Sequence, residues 1–191
     1  MPTQKTPGRK VVAFLMVTLD GYHQTTDGDL SWHNVDDEFH EFAAAQMDEA
    51  DTLLFGRKTY VGMAQFWRSQ VAQEIDPGMS ERMNRYPKIV VSRTLTGAEW
   101  APSTLLSDNA PAQLTTLKNQ PGKDIFLLGS SALAASLLDA GVLDELRIMV
   151  NPVILGTGDP VLVGASRTSL ELAGVRQFAS GNVLLTYHPL R

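Results

Sequence analysis

The sequence predicts an α/β fold: a three-layer, mixed and mostly parallel sheet with helices on both faces and antiparallel hairpins at the carboxyl terminus. Three observations lead there. Residues 10–19, KVVAFLMVTL, form a nearly continuous β-branched and apolar run, as expected of a central strand covered on both faces. Strand-like and helix-like segments then alternate as far as Gly141. Beyond Gly141 the pattern changes to strand-like runs separated by glycine-containing turns.

Each element follows from its own pattern. After a polar, glycine-containing loop, Val35, Phe39, Phe42, Ala43, Gln46, Met47 and Ala50 recur at helical spacing, which predicts an amphipathic helix from Asp36. A strand over 52–55 and a short helix from about 57 come next. Residues 77–87 read as an irregular Pro/Gly stretch, and KIVV at 88–91 as a strand closed by Ser92 and Arg93. Residues 94–109 are ambiguous, with STLLS as a candidate edge strand. Residues 110–119 read as a helix ended by Pro121 and Gly122. Strand 125–128 enters a helix over 130–140 directly. The remaining strands are expected in LDELRIMVNPVIL, PVLVG, SLELAGVRQFAS and VLLTYHP, with turns at Gly156-Thr157-Gly158 and Gly181-Asn182. With no repeat or linker to divide it, 10–191 is expected to be one domain behind a disordered tail, residues 1–9.

Composition excludes several classes of chemistry. At 191 residues and 43% hydrophobic content the chain can bury one substantial core. A net charge of -5 and a pI near 5.3 argue against a general nucleic-acid surface, so any anion site has to be local. The absence of cysteine removes disulfides, thiolate catalysis and cysteine-ligated metal, and suits a reducing compartment. The first ten residues, MPTQKTPGRK, are polar and show no targeting segment, which leads to a cytoplasmic reading. Residues 125–143 are long enough to mimic a membrane span but carry Gly129, Ser130, Ser131 and Asp139, and a buried strand followed by a helix is expected instead.

Three expected strands end on small or basic groups. Strand 52–55 runs into Gly56, Arg57, Lys58 and Thr59, strand 88–91 into Ser92 and Arg93, and strand 125–128 into Gly129, Ser130 and Ser131. In open α/β sheets ligands bind beyond such ends, where a helix that begins offers unpaired N–H groups to phosphate. The plainer alternative for each is an ordinary strand-to-helix turn with solvated charges; three together favour an anion site. Arg57 occupies the place where a Walker A loop needs glycine, and no strand precedes a G-x-G-x-x-G. Residues 27–38, DGDLSWHNVDDE, superficially resemble a calcium loop, but Trp32 stands at the required glycine. His23, His33, His40 and His188 show no metal-ligand pairing, and no metal is expected.

LLFGRKTY, IVVSR, IFLLGSSALAASLL and DELRIMVNPVILGTGDPVL resemble the successive motifs of the dihydrofolate reductase superfamily, specifically the branch of the riboflavin-pathway deaminase-reductase, and VTLDGY at 17–22 adds that branch's Asp-Gly. The resemblance spans about residues 10–188. It implies NADPH as cofactor, held by Gly56, Arg57, Lys58, Thr59, Ser92, Arg93, Gly129, Ser130 and Ser131, and a small heterocyclic substrate. In such a site Asp20 would face substrate; its alternative is a cap on the turn with Gly21. Trp32 would stack on a heteroaromatic ring or anchor its loop. Dihydrofolate reductases carry a carboxylate soon after a loop tryptophan, and here Asp36, Asp37 and Glu38 follow Trp32, with helical phase favouring Asp36 and spacing from Trp32 favouring Asp37; Asp36 is equally a helix N-cap. YVGMAQFW does not resemble the ribose-phosphate segment of the riboflavin-pathway enzymes, and a stand-alone reductase domain without a deaminase is expected. The carboxyl-terminal strands of this branch often mediate dimerisation, which implies a homodimer through RIMVNPVIL, 147–155. The alternative for that run is the core of the last hairpin.

Overall fold

The computed structural model describes residues 8–190. An eight-stranded sheet runs through it in the order β5-β4-β3-β6-β1-β7-β10-β9. These strands are β1 (Val11–Thr18), β3 (Ala50–Gly56), β4 (Lys88–Val91), β5 (Ser103–Leu106), β6 (Asp124–Leu128), β7 (Glu145–Asn151), β9 (Leu170–Gln177) and β10 (Val183–Pro189). All pairings from β5 through β7 are parallel, and β10 and β9 close the far side antiparallel. β1 lies between β6 and β7, which explains its unbroken apolar sequence: Val11, Ala13 and Leu15 point to one face, Val12 and Phe14 to the other.

Each face carries its own helical layer. On one side α1 (Asp37–Asp48), α2 (Arg57–Trp67) and α4 (Pro77–Arg85) bring Phe42, Met47, Tyr60, Met79 and Met83 against Phe14, Phe55 and Phe126. On the other, Leu114 of α5 (Ala110–Lys118) and Ala134, Leu137 and Leu138 of α6 (Ser131–Asp139) pack on Ala13, Leu54 and Leu127. Among the described residues no helix is long and apolar enough to cross a membrane.

Three expectations need correction. The stretch at 77–87 is largely helical, preceded by α3 (Gln70–Ile75): Ser69 accepts from the Ala72 N–H at 3.2 Å, and Asp76 accepts from the Met79 N–H at 2.8 Å with Pro77 as the first helical residue. Proline there starts a helix, because its missing N–H is one that the first turn leaves unpaired. The expected strand PVLVG contributes only Pro160 to β8 (Asp159–Pro160), since Leu162 has a positive φ of 55°. That short strand pairs with β2 (Tyr22–Gln24), inside what the sequence marks as loop. Of the expected tail, residues 1–7 lie outside the described residues. Arg9 is buried, paired with Asp51 and donating to Thr52 Oγ1 and the Lys123 carbonyl at 2.6 Å each. A cation next to the buried amino end of β3 is thus matched by a carboxylate and two acceptors.

Lys88, at the amino end of β4, is 1% exposed and has no carboxylate partner among the described residues. Its ammonium donates to the carbonyls of Asn84 (3.1 Å) and Tyr86 (2.8 Å) and lies 4.5 Å from the centre of the Trp100 ring. Burial pushes its pKa down from 10.5 to about 8. Because the folded value lies below the unfolded one, folding releases a proton between them: stability rises as pH goes from about 8 towards 10.5 and gains nothing from this group below about 8. Thermal or urea denaturation at pH 7 and pH 10 should therefore give wild type a relative gain of roughly 3 kcal/mol at the higher pH that the Lys88→Met variant lacks. An identical pH dependence in both proteins would remove this role.

Candidate functional site

Parallel pairing brings the carboxyl ends of β4, β3, β6, β1 and β7 to one edge of the sheet. The turns after β3 and β6, which the sequence marks by their glycines, are joined there by one hydroxyl. Ser130 Oγ accepts the Gly56 N–H at 2.7 Å and donates to Thr59 Oγ1 at 2.8 Å. Gly129 and Ser130 are both left-handed, with φ of 61° and 56°. A Cβ on Gly129 would stand 3.2 Å from Thr59 Cγ2, and one on Gly56 would stand 2.9 Å from Ser130 Oγ, so close approach favours glycine at both positions, and at Gly129 the left-handed conformation does so as well.

Two helices start here without a side-chain cap, α6 because the Ser130 hydroxyl is engaged elsewhere and α2 because its N-cap is glycine. Neither α2, which begins at Gly56, nor α6, which begins at Ser130, has a side-chain hydrogen bond to its first-turn amides. Two positive helix ends thus lie side by side on adjacent strands. Arg57 and Lys58 are exposed in the first turn of α2, and Arg93 is exposed just past β4. Among the described residues none of the three has an ion-pair partner. The other two serines are differently engaged. Ser92 Oγ accepts from the Thr94 and Leu95 N–H groups (3.2 and 3.0 Å) and shapes the turn after β4. Ser131 Oγ accepts from the Leu162 N–H at 2.6 Å and ties the loop before β9 to α6. Beyond Thr59, Val61, Ala64 and Arg68 of α2 face Leu95 and Trp100 across an open cleft of about 680 Å³.

The other half of the edge is built around the ends of β1 and β7. Asp20 accepts from the Thr18 hydroxyl at 2.7 Å and from the Leu155 and Gly156 N–H groups at 3.3 and 2.8 Å. These bonds, led by that from Thr18, hold its carboxyl below the usual range. Asp20 is a tether between the two loops that carry β2 and β8; the sequence foresees a cap there but not its distant partners. Asp36 is the N-cap of α1, accepting the Phe39 N–H at 2.8 Å. Asp37 follows, exposed and without a hydrogen-bond partner among the described residues. Trp32 meets the His33 ring edge-on at 4.4 Å.

A polar network holding this loop escapes sequence reasoning. The Asn34 N–H donates to Asn151 Oδ1 at 2.9 Å, Asn34 Nδ2 donates to the Ser180 carbonyl at 2.8 Å, and Asn182 Nδ2 donates to the Asn34 carbonyl at 2.7 Å. Asn151 and Asn182 are fully buried. The one available signal is an asparagine at the end of each of two apolar runs. Four buried atoms in this region have no partner among the described residues: Trp32 Nε1, His33 Nε2, Ser180 Oγ and Asn182 Oδ1. Burial lowers the His33 pKa to about 4, so its ring is neutral near pH 7. His23 of β2 is also pushed down, first by burial, with Asp159 opposing and Lys58 assisting.

The fold and sequence have relatives. Uncharacterized protein YyaP of Bacillus subtilis (strain 168) is 30% identical over 187 residues, covering 94% of this chain and 95% of that protein. The deaminase/5-amino-6-(5-phosphoribosylamino)uracil reductase of Thermotoga maritima superposes with a TM-score of 0.70 at 15% identity, over 96% of this chain and 57% of that one. Dihydrofolate reductase of Enterococcus faecalis, solved with NADP(H), gives a TM-score of 0.61 at 15% identity, over 95% and 97%. These likenesses show a dihydrofolate reductase-like fold, and the RibD C-terminal domain family matches residues 9–184. The chain belongs to the RibD C-terminal domain family.

Proposed function

We propose that this protein is an NADPH-dependent reductase acting on a C=N or C=O group of a pteridine-like, pyrimidine or ribose-linked heterocycle, of the 5-amino-6-(5-phosphoribosylamino)uracil reductase type. The observation that carries the reading is the pair of uncapped helix ends at Gly56 and Ser130, flanked by the unpaired Arg57, Lys58 and Arg93. They fit a nucleotide with several phosphates: amides of α2 and α6 would receive the pyrophosphate, and Gly129 would let the backbone come close to it. Arg57 and Arg93 would meet the 2′-phosphate, with Lys58 and Thr59 beside them. Ser92 and Ser131 would act by shaping the turns, since their hydroxyls already accept from the backbone. The cleft beside α2 is within the size range of small-molecule sites.

When bound, NADPH supplies hydride to the electrophilic carbon, and the heteroatom of the reduced bond then needs a proton. Asp20 is a poor donor, because the hydrogen bonds it accepts hold its carboxyl below the usual range, and Asp36 is engaged in capping α1. Asp37 is the remaining claimant and would protonate directly or through water. Trp32 would bound the ring-binding side. A second reading, a non-catalytic NADPH- or nucleotide-binding module, is favoured by one observation: neither Asp20 nor Glu38, which accepts from Ala179 N–H and Arg176, is shifted towards a protonated form.

Titrating wild type with NADPH and NADH should show a preference for NADPH of roughly a hundredfold, since each charge-assisted contact contributes about 1.5 to 3 kcal/mol and these are partly screened. Arg57→Ala or Arg93→Ala should weaken NADPH about tenfold while leaving NADH nearly unchanged. Equal affinities in wild type, or equal losses in the variants, would refute the 2′-phosphate role. For chemistry, NADPH oxidation should be followed with dihydrofolate and with the riboflavin-pathway aminopyrimidine. Asp37→Asn should lower kcat at least tenfold with cofactor affinity retained. Stoichiometric NADPH binding without turnover across such a panel would favour the non-catalytic reading.

A further inference from the structure

His23 is a half-buried titratable residue that the proposed reaction leaves unused. It is the middle residue of β2, and its ring hydrogen-bonds to no other residue among the described residues. Two independent sets of contacts put this short strand beside the starts of α6 and α2.

The first set consists of backbone tethers. At the end of β1 the Tyr22 N–H donates to Thr18 Oγ1 at 3.0 Å, which turns the chain into β2. β2 pairs with β8, and the residues that follow β8 bind back on either side: the Val161 N–H donates to the Gly21 carbonyl at 3.0 Å, and the Leu162 N–H to Ser131 Oγ at 2.6 Å. Ser131 is the first residue of α6 and is buried, so the β2–β8 pair is fastened to the opening turn of that helix. The second set is electrostatic. The charge of Lys58, in the first turn of α2, reaches the His23 ring. β2 follows β1 and α2 follows β3, with β6 between those two strands. A ring on β2 that meets a cation on α2 therefore lies across the end of β6, where α6 begins.

The surroundings of the ring are balanced in charge. Asp159 of β8 and Lys58 of α2 are the charged groups that act on it, with opposite signs, and Asp159 already accepts from Gln24 Nε2 at 2.5 Å. Burial, the largest influence, holds the His23 pKa below its ordinary 6.5, so the ring is neutral near pH 7. A neutral imidazole has one N–H to donate and an imidazolium has two. Phosphate charge arriving at the neighbouring helix starts tips this balance and raises the proton affinity of the ring.

We infer that His23 is a further cofactor-binding residue, which the β2–β8 pair holds beside the starts of α2 and α6 and which takes up a proton as the diphosphate of the cofactor binds there. The inference rests on the proposed cofactor site and adds to it a contact from the β1 side, opposite Arg57 and Arg93. Because the bound form has the higher proton affinity, this contribution to binding grows as pH falls towards 6.5 and vanishes at alkaline pH, where the ring is neutral both free and bound.

The test is calorimetric titration of the full chain with NADP at pH 6.5 and pH 8.5, in buffers of different ionisation enthalpy so that protons taken up are counted. The 2′-phosphate titrates alike in every variant, so differences between variants report position 23. His23→Gln should bind about tenfold more weakly than wild type at pH 6.5, equally at pH 8.5, and with less proton uptake at the lower pH. His23→Lys, charged at both values, should bind more tightly than wild type at pH 8.5 and without the extra proton. Equal proton uptake by wild type and His23→Gln, or an affinity ratio that does not change with pH, would overturn the inference and leave the cofactor reading standing. Failure of NADP to bind wild type at either pH would overturn both. Binding as expected, with no substrate reduced by NADPH, would sink the reductase reading alone.

Discussion

The site depends on a serine that does not cap its own helix. Ser130 sits in a left-handed conformation at the start of α6, and this turns its hydroxyl away from the first-turn amides towards Gly56 and Thr59. One oxygen thereby fixes the spacing of two strand-to-helix turns on adjacent parallel strands and leaves the end of α6 open, beside an α2 whose glycine N-cap has no side chain to close it. The glycines around it follow as steric necessities, since any side chain on Gly56 or Gly129 would push into this contact. Strain in the backbone at Gly129 and Ser130 is thus tied to exposed donors at the edge of the sheet.

Much of this was legible in the sequence, for identifiable reasons. Buried parallel strands such as β1 cannot disguise themselves, because both faces must be apolar. The basic and small residues after β3, β4 and β6 stood out because each interrupts an apolar run at a strand end. What remained hidden was long-range. Nothing local to Asp20 announces that its oxygens meet amides at 155 and 156, and nothing in Pro77-Gly78 distinguishes a helix start from a break until Asp76 is seen to cap it. The asparagine network of 34, 151 and 182 joins positions more than a hundred residues apart, and no periodicity encodes it.

Electrostatics divides the labour that geometry assembles. The chain is acidic overall, and three of its exposed cations, Arg57, Lys58 and Arg93, stand where helix dipoles already favour anions. The buried cations elsewhere are handled in other ways: Arg9 by a carboxylate, Arg147 by two, and Lys88 by carbonyls and an indole ring. Burial lowers the proton affinity of Lys88, because carbonyl oxygens and an aromatic face compensate lost hydration less fully than a carboxylate does.

The β2–β8 pair has a consequence for where the protein opens first. It consists of three residues against two, separate from the main sheet, and is fastened at its root by the Asp20 carboxylate and by Gln24 donating to Asp159 at 2.5 Å. A unit that small buries little apolar surface, so opening it requires far less free energy than unfolding the sheet beneath. Amide hydrogens of Tyr22 and Val161 then exchange through local excursions, while those of β1 wait for global unfolding. The pair can thus open and close on its own clock, with the strands of the main sheet remaining at rest.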